Sequence, residues 1–314
     1  MTAKDRFTAS LLGAAAGGAI GSQFVGKKRG SYQVALPVDV GDMKSLSLTG
    51  PIALMLCLAE TLAEFGLESD SEYIFMRKAG ALRRNGCWMP AIPASRHERV
   101  LRTRGRERQD APVIVADRVP QINRPSPVMP GNVNGALAWI APLAYLLKDS
   151  RSFSFRLRHI ERFCAIEGQQ ARCTLACVIF VEFLVGLYRD LSISEALALA
   201  SDEIAPLSDN QVYAREFPSY FRIFDRRVLG APKNSIRSGE YAAETLEAVL
   251  WSLGHSASFT ECLVEAVSLG GDTVSTAAIA GGAAGVAYGL ESIGPEWLAL
   301  IPQAREIDGL SHMV

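Results

Sequence analysis

Charge of one sign, histidine and long apolar runs are all scarce in this 314-residue sequence, and each scarcity closes off a class of function. The 32 basic and 33 acidic side chains nearly cancel to a formal net charge of -1, so there is no global electrostatic case for binding nucleic acid or an anionic membrane surface. Disorder needs low hydrophobicity and a large net charge, whereas 49% of these residues are hydrophobic. The four histidines, His97, His159, His255 and His312, are isolated from one another, and a lone histidine is more often a surface or satisfied core residue than a catalyst. A nucleophile elbow, a phosphate-binding loop with its lysine and a dinucleotide-binding glycine fingerprint are missing. The most apolar stretch, Cys173 to Tyr188, is shorter than the ~20 residues a spanning helix needs and contains Glu182, which makes it a core helix.

Cysteine is sparse too. Cys57, Cys87, Cys164, Cys173, Cys177 and Cys262 are scattered, and the N-terminus lacks the basic-then-apolar profile of a secretory signal. The expectation is reduced thiols in a soluble, cytoplasmic protein. Cys173 and Cys177 would share a helix face, but no second Cys or His pair follows at zinc-site spacing, so they read as small buried hydrophobes.

What the sequence does have is helical periodicity, with no long stretch of strict alternation. The spacing predicts an all-α protein with helices near 5–20, 51–65, 71–84, 134–147, 153–165, 169–189, 193–200, 211–226, 241–253, 259–269 and 273–289, and a short turn near Glu296. The helix after Thr273 is rich in alanine and glycine (Ala277, Ala278, Ala280 to Gly285). Glycine within a helix costs about 1 kcal/mol relative to alanine, so close packing or function is expected to require it. No tandem repeat or linker is visible, and the chain reads as one compact domain over 1–314.

One segment departs from that pattern. Between Met89 and Gly131 seven prolines interrupt the periodicity, which predicts a long surface excursion at about 89–131. Arg96, Arg99, Arg102, Arg104, Arg106 and Arg108 stand there against only Glu98 and Glu107. These arginines form either a solvated face or a dock for an acidic partner or phosphate groups.

Chemistry is left to three helix starts: Thr49-Gly50-Pro51, Asn134-Gly135 and Gly270-Gly271-Asp272-Thr273-Val274-Ser275. Thr49 suits an N-cap with Pro51 in the first turn, and Asp272 suits an N-cap facing the positive end of its helix. Helix N-termini with glycines also bind anions, so a phosphate-bearing ligand is the functional alternative.

Together these segments carry a resemblance. The stretches 248–253, 266–273, 277–281, 288–289 and 296–298 resemble the C-terminal signature of the ADP-ribosylglycohydrolase family. Asn134-Gly135 with Ile140-Ala141-Pro142-Leu143 is similar to a second family segment, and Leu12-Gly13 through Ile20-Gly21 to its first helix. The resemblance runs from residue 5 to about residue 300 and is weakest between 85 and 130. It implies an all-helical orthogonal bundle that uses two magnesium ions to hydrolyse the bond between ADP-ribose and its acceptor.

The family's Thr-Asp-Asp motif here reads Thr49-Gly50-Pro51, and its Asp-Thr-Asp-Thr or Asp-Thr-Asp-Ser motif reads Asp272-Thr273-Val274-Ser275. Thr49, Asp272 and Ser275 remain as ligand remnants, while carboxylates are lost at Gly50, Pro51 and Val274. Four carboxylates would balance two magnesium ions, and a single one leaves about three positive charges uncompensated. By the same resemblance Val25 stands in place of a glutamate, Gly18 of an aspartate, Trp139 of an arginine and Ile166-Glu167 of a Thr-His pair.

The resulting expectation is a catalytically degenerate homologue that works by binding a protein partner or an ADP-ribosyl ligand, as an antitoxin-like, effector or regulatory factor would. Ligand-binding candidates are Thr49, Asn134, Gly135, Gly270, Gly271, Asp272, Thr273 and Ser275, and the six arginines are the candidate partner surface. No cofactor is expected beyond at most one weakly bound divalent cation, and neither nucleic acid nor membrane. The alternative is an active hydrolase of an ADP-ribosyl or related glycosidic bond with a rearranged, metal-poor site, in which Asp272 would be the catalytic group. Such hydrolysis ordinarily needs two carboxyl groups or a metal-activated water.

Overall fold

The computed structural model describes residues 1–34, 50–68, 70–85, 134–167, 170–299, 301 and 303–311. Among these residues there are thirteen α-helices and no strand. In chain order they are α1 (Ala3–Ser22), α2 (Gly50–Phe65), α3 (Ser71–Asn85), α4 (Pro142–Leu147), α5 (Phe153–Cys164), α6 (Ala171–Tyr188), α7 (Ile193–Ile204), α8 (Phe221–Phe224), α9 (Ala242–Gly254), α10 (Phe259–Ser268), α11 (Thr273–Tyr288), α12 (Pro295–Leu298) and α13 (Ala304–Ser311). The excursion at 89–131, its six arginines and Thr49 lie outside the described residues.

The centre of the fold is the antiparallel pair α1 and α11. α1 starts from a capping box, in which Asp5 N donates to Thr2 Oγ1 (3.1 Å) and Thr2 N to Asp5 Oδ2 (2.9 Å). From Phe7 to Gly21 it is buried all round. Its glycines explain how. A Cβ on Gly13 would collide with the Gly281 carbonyl, on Gly17 with that of Ala277, on Gly21 with that of Thr273, and a Cβ on Gly285 with that of Ala9. Positions 9, 13, 17 and 21 therefore meet 285, 281, 277 and 273, every fourth residue on both helices, backbone against backbone. The helix penalty of these glycines is offset by contacts that a side chain would prevent.

α6 is the second central helix. It is long and apolar enough to cross a membrane by length and composition, yet 83% of it is buried inside the protein. Glu182, the one acidic residue in it, is completely buried and pairs with Arg156 of α5: Arg156 Nε and Nη2 each lie 2.7 Å from a Glu182 oxygen, and Nη1 donates to Ser150 O at 2.7 Å. Burial pushes the Glu182 carboxyl above the usual carboxylate range, and the guanidinium opposes that shift. Removing Arg156 would strand a buried carboxylate, whereas Arg156 without Glu182 would keep Glu203 at 3.6 Å.

Several sequence expectations are corrected. The helix expected over 134–147 is two pieces, a 3-10 turn at Ala136–Ala138 and then α4, because Pro142 has no N–H to donate back across the break and instead starts a new helix. The helix expected over 211–226 is mostly turns, a 3-10 segment at Phe217–Tyr220 and the single turn of α8. Asn210 Oδ1 accepts from Val212 N at 2.8 Å, Pro218 interrupts the ladder, and Arg226 takes a left-handed φ of 61°. α7 runs four residues past the expected end, and α13 was not anticipated.

Candidate functional site at the start of α11

The site is built where α10 turns into α11. α10 ends at Ser268, and the chain reverses through Gly270 and Gly271, both at φ 70°, before Asp272. Two successive left-handed residues need glycine. Space requires it too, since a Cβ on Gly271 would run into the Ser238 carbonyl, and one on Gly270 would sit 3.0 Å from Arg29 N.

Asp272 caps α11 as the sequence predicts. Its Oδ1 accepts from Ser275 N (3.1 Å), and its own N–H donates to Ser238 O (2.8 Å). Its other oxygen, Oδ2, accepts from Asn134 Nδ2 at 2.9 Å. The same Asn134 nitrogen lies 3.1 Å from Thr245 Oγ1, and the Thr245 hydroxyl donates to Gly239 O at 3.0 Å. This chain fixes the orientation of the amide. The Thr245 proton is committed to a carbonyl, so its oxygen can only accept from Asn134, and an ionised Asp272 can also only accept. Both neighbours demand the nitrogen. Asn134 is buried while Asp272 is half-buried, which leaves the carboxylate reachable from solvent and held from behind.

The predicted candidates separate under this geometry. Asn134, Gly270, Gly271 and Asp272 come together in one hydrogen-bonded turn. Ser275 contributes its backbone N–H to Asp272 and is a buried residue. Thr273 turns away: its hydroxyl donates to Gly21 O at 2.7 Å, inside the α1–α11 contact. Gly135 leads into the 3-10 turn with no side chain to offer. Gly50 and Pro51 open α2 and, like the half-buried Val274, bring no side-chain oxygen. Val25 lies exposed after α1, Gly18 is buried in α1, and Trp139 is packed on Phe75 with ring centroids 5.0 Å apart. Ile166 and Glu167 close the short 3-10 turn after α5.

Thr245, Ser238 and Arg29 were not singled out from the sequence. Thr245 had one signal, a polar residue on an otherwise buried face of α9. Arg29 had none, because Lys27-Lys28-Arg29 reads as ordinary surface charge.

Among the described residues no group of three or more His, Cys, Asp or Glu is placed to hold a metal ion. The described cysteines are free thiols, and Cys177 lies against Cys164 and Cys173 with burial pushing its thiol upward.

The comparisons agree with this all-helical bundle and its Gly-Gly-Asp turn opening a glycine-rich central helix. The ADP-ribosylglycohydrolase family model matches residues 1–314, and the chain belongs to that family. Over 80 residues it is 36% identical to an ADP-ribosylarginine hydrolase Tri1 from Pseudomonas putida, covering 26% of this chain and 22% of that one. It is 32% identical over 80 residues to an ADP-ribosyl-[dinitrogen reductase] glycohydrolase from Rhodospirillum rubrum, covering 24% of this chain and 27% of the relative. The chain thus matches about a quarter of the length of these curated relatives. A solved structure titled as an ADP-ribosylglycohydrolase-related protein complex has the same fold, with a TM-score of 0.66 at 24% identity over 99% of this chain and 97% of that one.

Proposed function

We propose that this family member acts by binding rather than by metal-dependent hydrolysis, and that the turn at Asp272 holds an ADP-ribosyl group, free or attached to a protein. The observation that carries the proposal is the state of the Asp272 carboxylate. Each oxygen is already met by a protein donor, Asn134 Nδ2 on one side and Ser275 N on the other, so the protein supplies the positive partners that a metal would otherwise supply. Around it, Gly50, Pro51 and Val274 stand where the family resemblance places carboxylates. Two magnesium ions bring four positive charges and demand oxygen ligands in octahedral geometry, and a single described carboxylate does not fit that pair. No step of the proposal passes through it. At most one weakly held divalent cation would share Asp272 with water.

Two features support ligand holding. The positive end of the α11 dipole faces the Gly-Gly turn, a favourable place for a pyrophosphate, while the Gly270 and Asp272 N–H groups are themselves given to Val267 O and Ser238 O. The half-buried Asp272 is a ready acceptor for a ribose hydroxyl. The arginine-rich segment 96–108 is proposed as the surface for a protein partner, in a cytoplasmic setting.

A second reading, hydrolysis of an ADP-ribosyl or related glycosidic bond, is favoured by the names of the curated relatives. In it Asp272 orients the attacking water. It has to work without a second acid among the described residues at the turn, and without Thr273, whose hydroxyl is spent on Gly21 O.

Isothermal calorimetry with ADP-ribose, with and without magnesium, followed by analysis of the recovered ligand, separates the readings. Magnesium-independent binding with intact ligand is the expected result. Stoichiometric binding of two metal ions by the native chain, or recovery of hydrolysed product from an ADP-ribosylated substrate, would overturn the proposal. Gly50→Asp, Pro51→Asp and Val274→Asp combined are expected to raise divalent-metal affinity from undetectable to measurable.

A further inference from the structure

The segment after α1 lies against the site from outside, and its hydrogen bonds converge on the backbone that carries Asp272. Arg29 donates through Nε to Leu269 O (2.7 Å), through Nη1 to Lys233 O (3.0 Å) and through Nη2 to Ile236 O (2.6 Å). One guanidinium thus joins the last carbonyl before the Gly-Gly turn to two carbonyls of a separate loop. That loop supplies Ser238, whose carbonyl accepts the Asp272 N–H and whose hydroxyl donates toward Leu269 O and Gly270 O (3.1 and 2.7 Å). It also supplies Gly239 O, which holds Thr245 and through it Asn134. A positive charge at the carbonyl end of α10 is favourable as well, but a charge alone would not need three separated acceptors.

We infer that Arg29 is a positioning residue for Asp272: its planar fork fixes the spacing between the 233–238 loop and the Gly270–Gly271 turn, and so the direction in which the Asp272 carboxylate faces. The inference rests on the reading of Asp272 as the ligand-holding group, and it extends that reading to a residue 243 positions away in sequence that touches no ligand. A lysine would keep the charge but concentrate its donors on one nitrogen, which cannot span carbonyls fanned around a guanidinium. Tyr32 gives an internal control. Its hydroxyl donates to Val267 O at 2.6 Å and also bonds the Gly270 backbone, so it holds the end of α10 and the first residue of the turn without joining them to the 233–238 loop.

Amide hydrogen exchange on the full chain tests this. Arg29→Lys and Arg29→Met are each expected to speed exchange of the Asp272 and Ser275 amides by about tenfold, the loss of one charge-assisted hydrogen bond. Exchange across 175–185 of α6 should be unchanged, and Tyr32→Phe should leave Asp272 and Ser275 as in the native chain. If either amide keeps its native protection in both Arg29 variants, or if Tyr32→Phe loosens them equally, Arg29 is only a cap and the inference fails. In parallel, calorimetry with ADP-ribose is expected to give about tenfold weaker binding for Arg29→Lys. A native chain that binds no ADP-ribose would remove the functional reading, while the exchange data would still decide the role of Arg29.

Discussion

Glycine does opposite things in two neighbouring parts of this molecule. Along α1 and α11, Gly13, Gly17, Gly281 and Gly285 have ordinary helical backbone and serve by having no side chain, so two backbones touch. In the turn that opens α11, Gly270 and Gly271 serve through their φ of 70°, which bends the chain and aims Asp272. The first region is held mainly by close packing, with one hydrogen bond, Thr273 Oγ1 to Gly21 O, at its end. The second is held by directed hydrogen bonds through Ser238, Asn134 and Arg29. The fold and the site therefore depend on different physics, and one can be damaged without the other.

The sharpest way to break the packed region is Gly17→Leu, which drives a side chain into the Ala277 backbone. Neither helix can retreat without separating the pair, so a loss on the order of 4 kcal/mol or more, or failure to fold, is expected in chemical denaturation. Gly271→Ala attacks the turn. It forces a non-glycine residue to positive φ and pushes a Cβ at the Ser238 carbonyl, for an expected loss of roughly 2–3 kcal/mol. Its loss of ADP-ribose affinity should exceed what that instability explains, measured by calorimetry well below the melting temperature.

Asn134→Asp sharpens the comparison with the smallest change. It sets a second carboxylate against Asp272 and removes the donor that both Asp272 and Thr245 use. The expected loss is about 1–2 kcal/mol at neutral pH. Because like charges raise one carboxyl's folded pKa above its unfolded value, the variant should be closest to native at low pH. It should lose stability as pH rises through that raised value. Millimolar calcium or magnesium should restore part of it, and thermal melts across pH with and without the ion would check both signs.

Much of the fold was readable in sequence because packing leaves periodic marks. The small residues in α11 pointed to a closely packed helix, and Glu182 within an apolar run to a core helix. Pro142 and Pro218 stand inside two stretches whose periodicity predicts one continuous helix, and there the helices break. At the site, Asp272 was readable as a helix cap, because capping is a local rule. Asn134 is readable as a helix start and by family resemblance, but its bond to Asp272 joins residues 138 apart, which no local rule supplies. Thr273 misled for a related reason. A hydroxyl one position from a capping carboxylate looks available for a ligand, yet only the packing of α1 shows that it faces inward. Arg29 was invisible, since three carbonyl acceptors on two distant loops leave no trace in a sequence window.

The repeat of small residues has one more consequence. A pattern with a four-residue period on both helices does not choose its own register. Sliding α11 along α1 by four residues, about 6 Å, would bring Ala9 against Gly281, Gly13 against Ala277 and Gly17 against Thr273, and these three inner rungs would still be small. What distinguishes the observed register is the bond at its end, Thr273 Oγ1 to Gly21 O. The threonine beside Asp272 thus acts as the alignment pin of the two central helices, whatever the chemistry at this turn.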